Sequence, residues 1–242
     1  MIVTKHPQGW NITFHKAHAL LAFKIGMKIK ESIWPNLSYR LDGLSAITDH
    51  DDSQADWHKS DNLTDAGAPL DYRQAGQMKI KEVKKMIENC LHKSAFMTLM
   101  VSMHCLSIYK DQKGKAVKSF MDDQKDLCQF IQSHLHVTNA DAEKSYRILR
   151  FCDELSLMLC QQDIPTNSRK IQLEPLPGIE ENFIHLDENG ILRLDHWCFE
   201  SSEFTLSGEY YRTKKLSYTS DAELIAELKL GNPLFTHYKF KK

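Results

Sequence analysis

Apolar residues recur along most of the chain at the spacing of one helix face. Six stretches before residue 165 repeat apolar positions every three or four residues, which favours amphipathic helices. The predicted helices cover residues 12–30, 39–56, 74–91, 95–110, 115–135 and 141–161. Thr138 or Asn139 provides a cap for the last one. Before the first helix, Ile2 and Val3 have β propensity, but the pattern is short.

The pattern changes after Pro165. The stretches NFIHLD and ILRLDHW alternate apolar and polar residues on either side of Glu188-Asn189-Gly190, which favours a hairpin. FTLSGEYYRTKKL and PLFTHYKF predict two more strands. Between them, Ser220 and Glu223 have the spacing of a capping box, which predicts a short helix that ends near Leu228.

These elements predict a mainly α fold. A metal-binding bundle of about six helices occupies residues 1–165, and a small β-rich C-terminal appendage occupies residues 166–242.

Composition excludes several classes of function. The 242 residues include 31 Lys and Arg against 32 Asp and Glu, so the net charge of −1 argues against nucleic acid or anionic lipid as a partner. The most apolar stretch, Ala95 to Met103, is too short to cross a membrane. No export signal is visible, and the 6 cysteines form no CxxC pair, so we expect a cytoplasmic protein with reduced thiols.

Four of the predicted helices carry a histidine or an aspartate on the face that otherwise holds apolar residues. In the first helix, for example, the histidine follows Phe14 by four positions and precedes Leu21 by three. The polar residues that point inward in this way are His18, His50, Asp51, His104 and Asp153.

Burying two ionised carboxylates is costly unless they are paired or bind a metal. Few strong cations lie on these faces, whereas imidazole nitrogen and carboxylate oxygen are ligands of zinc, manganese, nickel and iron. The pattern therefore predicts a site for one or two transition-metal ions. Two alternatives stay open: each histidine could be a hydrogen-bonded core residue, and Asp153 could pair with Arg147 or Arg150.

The order of His18, the His50-Asp51 doublet and Asp153 resembles the H…HD…D pattern of the HD-domain superfamily, an all-helical fold of metal-dependent phosphohydrolases. The stretches AITDHDDSQADW, NLTDAGAPLDY, LMVSMHCLSIY and KSYRILRFCDELSLMLC are similar to DUF3891, an HD-like family of uncharacterised bacterial proteins. The resemblance covers nearly the whole chain.

The resemblance implies that His18, His50, Asp51 and Asp153 bind metal. His104 matches an extra histidine that some HD proteins use for a second ion. Two-metal members usually supply two such histidines, and His92 is only a weak second candidate here, so the number of ions stays open.

Other candidates would handle protons or phosphate. The resemblance gives Asp51 a contact with the nucleophilic water. Asp52 and His15 are candidates for orienting groups or transferring a proton, and the alternative is that both are exposed polar residues near helix ends. Arg147 is a candidate for binding a phosphate, or else a surface salt-bridge partner.

A loop rich in Asn, Asp, Gly and Pro follows the doublet. Because it must emerge beside the metal, Trp57, Asn62, Asp71 and Tyr72 are candidate substrate-binding residues. The alternative is a structural plug that shields the site.

These observations favour a metal-dependent hydrolase that acts on a small phosphorylated or otherwise anionic molecule through a metal-activated water. Two other classes stay open: a di-iron oxygenase of the HD type, and a non-catalytic metal-binding or interaction protein. The β appendage could then serve as a surface for a homodimer.

Overall fold

The computed structural model describes residues 1–54, 61–74, 79–166 and 169–242. Within these ranges the chain forms seven α-helices and seven β-strands. The helices are α1 (His15–Gly26), α2 (Arg40–Asp49), α3 (Ile80–Leu91), α4 (Ala95–Ile108), α5 (Lys115–Leu135), α6 (Asn139–Gln161) and α7 (Asp221–Leu230). The strands are β1 (Ile2–His6), β2 (Gly9–Thr13), β3 (Ile171–Gln172), β4 (Phe183–Leu186), β5 (Leu192–Leu194), β6 (Glu203–Arg212) and β7 (Leu234–Lys241).

Hydroxyl side chains set the beginning of several helices. Thr138 accepts a hydrogen bond from the Asp141 amide at 3.1 Å, and Ser220 accepts one from the Glu223 amide at 3.3 Å. Each bond satisfies a backbone donor that has no partner inside its helix. The predicted caps of α6 and α7 are therefore confirmed.

The seven strands form a single curled sheet in the order β1-β2-β6-β7-β5-β4-β3 within the described residues. The prediction of a mainly α bundle with a small C-terminal β appendage is therefore wrong, because the fold combines seven helices with a large mixed sheet. The predicted hairpin is present as β4 and β5, which pair from Ile184↔Leu194 to Leu186↔Leu192.

The N-terminal hairpin of β1 and β2 is the element that sequence patterns missed. A turn at residues 7–8 joins the strands, and β2 pairs with β6 through Asn11↔Arg212 and Ile12↔Tyr211. Gly9 is required there, since a Cβ atom would lie 2.3 Å from the carbonyl oxygen of Thr213. Each strand has only five residues, too few for a clear alternation, and β6, which holds β2 in the sheet, lies some 200 positions away.

Helices and sheet share one hydrophobic core. α1 packs against α2, α6 and β6, and α4 packs against α2, α5 and α6. Buried residues of this core come from both predicted ranges, for example Leu21 in α1 and Phe240 in β7. The inward faces of α1, α4 and α6 and the C-terminal end of α2 therefore meet in the interior. None of the described helices is long and apolar enough to cross a membrane.

Candidate metal centre

Two imidazoles and two carboxylates meet where α1, α2 and α6 converge. His18 lies on α1, His50 and Asp51 follow the last residue of α2, and Asp153 lies on α6. His18 Nε2 is 3.2 Å from Asp51 Oδ2 and 3.4 Å from Asp153 Oδ1. His50 Nε2 is 3.2 Å from Asp153 Oδ1 and 3.6 Å from Asp51 Oδ2. We call these four residues the central cluster.

The backbone fixes the ring orientation of His50. Its Nδ1 lies 2.7 Å from the carbonyl oxygen of Ile47. Because a carbonyl can only accept, Nδ1 must donate its proton there, and Nε2 of the neutral ring is left with a lone pair. That lone pair faces the Asp153 carboxylate, so either a second proton on Nε2 or a bound cation has to lie between the two acceptors.

Charges inside the central cluster dominate its protonation. Burial by itself would lower the pKa of His50, but the carboxylates of Asp51 and Asp153 outweigh burial and raise it to about 10. Burial by itself would raise the pKa of each aspartate, but the charge of His50 and contacts with His18 lower both, that of Asp51 to well below its usual range. In the metal-free protein, a proton on His50 therefore balances part of the negative charge.

No lysine or arginine neutralises this site within the part of the chain that the structure describes. Neither Asp51 nor Asp153 has a guanidinium or ammonium nitrogen within 4.0 Å, and their only ionic neighbours there are histidines. Arg150, which the sequence offered as a partner for Asp153, instead pairs with Glu174 at 2.7 Å. The buried His and Asp groups could hold a metal ion, and neutral imidazole with carboxylate is a suitable donor set.

His104 extends the cluster on one side. Its Nε2 is 4.0 Å from Asp153 Oδ2, and its ring centroid is 5.0 Å from that of His50. Burial, followed by the charge of His50, lowers the pKa of His104 to about 4, so its ring is neutral and able to bind metal at neutral pH. His104, His50 and Asp153 form a second group that could hold an ion, and it shares His50 with the group of His18, His50 and Asp51.

Two of the predicted proton-handling residues occupy different environments. His15 is 2% exposed, and its ring meets those of His18 and Tyr72 edge-on, with centroids 6.5 Å and 5.6 Å apart. Asp52 is exposed and pairs with Lys16, the ammonium nitrogen lying 3.4 Å away. The structure thus brings His15 beside the central cluster and leaves Asp52 at the surface next to it.

The predicted substrate-binding residues are spread more widely. Tyr72 contacts His15 and accepts a hydrogen bond from Gln161 at 2.7 Å. The backbone amide of Asn62 donates to Asp221 at the first position of α7. Trp57 lies outside the described residues.

Two further candidates for substrate binding already have ionic partners. Asp71 accepts from the Val3 amide at 2.8 Å and from Arg73 Nε at 2.6 Å. Arg147 pairs with the exposed Glu180 at 2.7 Å. Substrate contacts by these residues stay predictions.

Sequence reasoning missed the polar residues that support the cluster. The hydroxyl of Ser156 lies 2.7 Å from His18 Nδ1 and is fully buried. Gln54 Nε2 donates to Asp51 Oδ1 at 3.4 Å. The signal for Ser156 was its position three residues after Asp153, which places both on one side of α6.

Comparison with protein families identifies the family of this chain but not its activity. The family model described as "Protein of unknown function (DUF3891)" matches residues 1–215. The chain belongs to the DUF3891 family. The matched residues include the whole central cluster and His104, so DUF3891 membership covers the candidate site. Neither the curated proteins nor the solved structures gave a match.

Proposed function

We propose that this DUF3891 protein is a metal-dependent hydrolase with an HD-like centre, and that it acts on a small phosphorylated or otherwise anionic molecule. One observation carries the proposal: the central cluster gathers two buried imidazoles and two carboxylates with no lysine or arginine among their described neighbours. The H…HD…D order of these residues supports the link to HD phosphohydrolases.

The donor set favours a single ion per chain. His18, His50, Asp51 and Asp153 would hold it, and the ion would be zinc, manganese, nickel or iron, for which this mixture of nitrogen and oxygen ligands is suitable. The second possible group reuses His50, whose Nδ1 already donates to Ile47. Because the remaining nitrogen of that ring has one lone pair, the two groups cannot both be filled through His50.

When bound, the ion would lower the pKa of a coordinated water and polarise a phosphoryl oxygen. The protein's own residues would prepare that reaction. Asp51 has one oxygen near His18 and the other near Gln54, so its orientation is fixed from both sides. His15 lies between His18 and Tyr72, which places an imidazole beside the cluster where a proton could be passed on.

Elemental analysis of protein purified without added metal, paired with phosphate release from a panel of small phosphate esters, tests the proposal. We expect about one equivalent of a transition metal and a turnover that a chelator abolishes. Asp51→Asn should lose both metal and turnover. Asp49→Asn, two residues away on α2 and paired with Lys93 at the surface, should keep both.

Other results would replace the hydrolase proposal. Iron with visible absorbance and no phosphate release would favour an oxygenase. A metal that is retained without turnover on any ester would indicate a structural ion. The absence of bound metal in wild-type protein would contradict the proposal altogether.

A further inference from the structure

Ser156 combines with Asp153 and His18 in a short chain of hydrogen bonds. The Ser156 hydroxyl donates to the main-chain carbonyl of Asp153 at 2.8 Å, and its oxygen lies 2.7 Å from His18 Nδ1. Ser156 and His18 are both 0% exposed, so water does not compete for these bonds.

The number of available protons determines the direction of each bond. A serine hydroxyl carries one proton, and the Asp153 carbonyl can only accept. Once that proton is given to Asp153, the serine oxygen can only accept from His18. Nδ1 of His18 must therefore carry a proton, and Nε2 is the nitrogen that faces Asp51 and Asp153.

We infer that Ser156 is a positioning residue that holds the proton of His18 on Nδ1 and so presents Nε2 to the metal. This inference rests on the proposed metal centre. Asp153 then has two roles in α6: its carboxylate faces the metal site, and its main-chain carbonyl orients the hydroxyl of Ser156. The backbone carbonyl of Ile47 does the same for His50. His50 therefore needs no side chain for this purpose, whereas His18 depends on one.

A matched serine is available on the same helix. Ser145 is 7% exposed and donates to the Asp141 carbonyl at 2.9 Å, yet it precedes Ser156 by eleven residues, roughly 16 Å along the axis. Ser145→Ala therefore removes a similar hydroxyl from α6 without touching His18. Ser156→Thr keeps the hydroxyl and serves as the conservative variant.

The first measurement needs neither metal nor mutation. Long-range proton–nitrogen NMR of histidine-labelled, metal-free wild type reports which ring nitrogen of His18 carries a proton. We expect a proton on Nδ1, and a bare Nδ1 would overturn the inference. In Ser156→Ala, part or all of the His18 population should carry the ring proton on Nε2 instead of Nδ1. Ser145→Ala and Ser156→Thr should retain the wild-type pattern.

The second measurement is zinc affinity by competition with a chromophoric chelator. Loss of an outer partner of a ligating histidine typically weakens binding by about 10- to 100-fold, and we expect that loss in Ser156→Ala only. Unchanged zinc affinity in a folded Ser156→Ala protein would also overturn the inference. If wild type binds no zinc but His18 holds its proton on Nδ1, the proposed function fails and the hydrogen-bond assignment stands.

Discussion

Asp153 and Glu154 are neighbours on α6, yet their carboxylates meet opposite conditions. Burial favours the neutral form of both. Around Asp153 the charges of His50, His104 and His18 overcome burial and lower its pKa, whereas burial prevails at Glu154 and raises its pKa. The main partner of Glu154 is the backbone amide of Glu174.

The difference shows what distinguishes a candidate metal ligand from an ordinary buried acid. Glu154 accepts from a neutral donor of the backbone, and the attraction of Arg150 is too weak to overcome its burial. Asp153 faces the Nε2 atoms of His18 and His50, which are acceptors whenever these rings are neutral with a proton on Nδ1. Burial alone therefore does not identify the site; the shortage of donors does.

The largest expected effect separates these two neighbours. Asp153→Asn should weaken metal binding by more than about 100-fold, since even the outer partners of metal ligands are worth 10- to 100-fold. Elemental analysis and chelator competition measure the effect. Glu154→Gln is the control and should keep the wild-type metal content. If Asp153→Asn kept as much metal as Glu154→Gln, Asp153 would not be a metal ligand.

Removal of the metal should also lower thermal stability, because the central cluster joins α1, α2 and α6. A ligand at one hundred times its dissociation constant stabilises a protein by about 2.7 kcal/mol. For a chain of this size, that corresponds to a melting temperature roughly 5–10 °C lower after chelation. Differential scanning calorimetry with and without a chelator measures the shift. Asp153→Asn should melt at one temperature in both conditions, and a shift in that variant would place the stabilising ion elsewhere.

Much of the site could be predicted from local periodicity. The positions of His18 and Asp153 within apolar helix faces determine that they point inward, and both are found in the interior. The His50-Asp51 doublet reaches the same point although α2 ends at Asp49, since the chain turns immediately afterwards.

The sheet and the supporting residues could not be predicted in this way. β2 joins β6 through contacts between residues some 200 positions apart, which no short window contains. Ser156 was overlooked because its spacing of three residues from Asp153 becomes informative only once the partners of its hydroxyl are known. Asp52, the next residue after the doublet, lies at the surface and pairs with Lys16, and the sequence pattern did not separate it from Asp51.

Asp71 is a third buried carboxylate, and it accepts hydrogen bonds from several donors. Burial would raise its pKa, but hydrogen bonds from Arg73 and the Val3 amide lower it. Asp71→Asn should cost about 1–2 kcal/mol of unfolding free energy at pH 7, near the low end for charge-assisted bonds because the Arg73 side chain is 54% exposed. Metal content should not change. Urea unfolding measures the cost. Loss of metal in this variant would mean that Asp71 contributes to the metal site.

The same shift determines the pH dependence of that cost. A carboxyl whose pKa is lowered on folding stabilises the protein above its unfolded pKa, near 4, and loses that contribution as the pH falls through the folded value. The difference in unfolding free energy between wild type and Asp71→Asn should therefore be constant above pH 5 and shrink below pH 4. A difference that grows on acidification would contradict the assignment of Arg73 and Val3 as the stabilising partners.

The smallest expected effect is that of Glu154→Gln on stability. The raised pKa of Glu154 means that folding favours the protonated form, so its contribution is fully present below the unfolded pKa and is lost as the pH rises through the folded value. A neutral glutamine can still accept from the Glu174 amide through its carbonyl oxygen. Glu154→Gln should therefore equal or exceed wild type in unfolding free energy at pH 7, by no more than about 0.5 kcal/mol. A clear loss of stability in urea unfolding at pH 7 would mean that the attraction between Glu154 and Arg150 outweighs burial. The contrast with Asp153 would then rest on which cation each carboxylate faces rather than on whether it faces one.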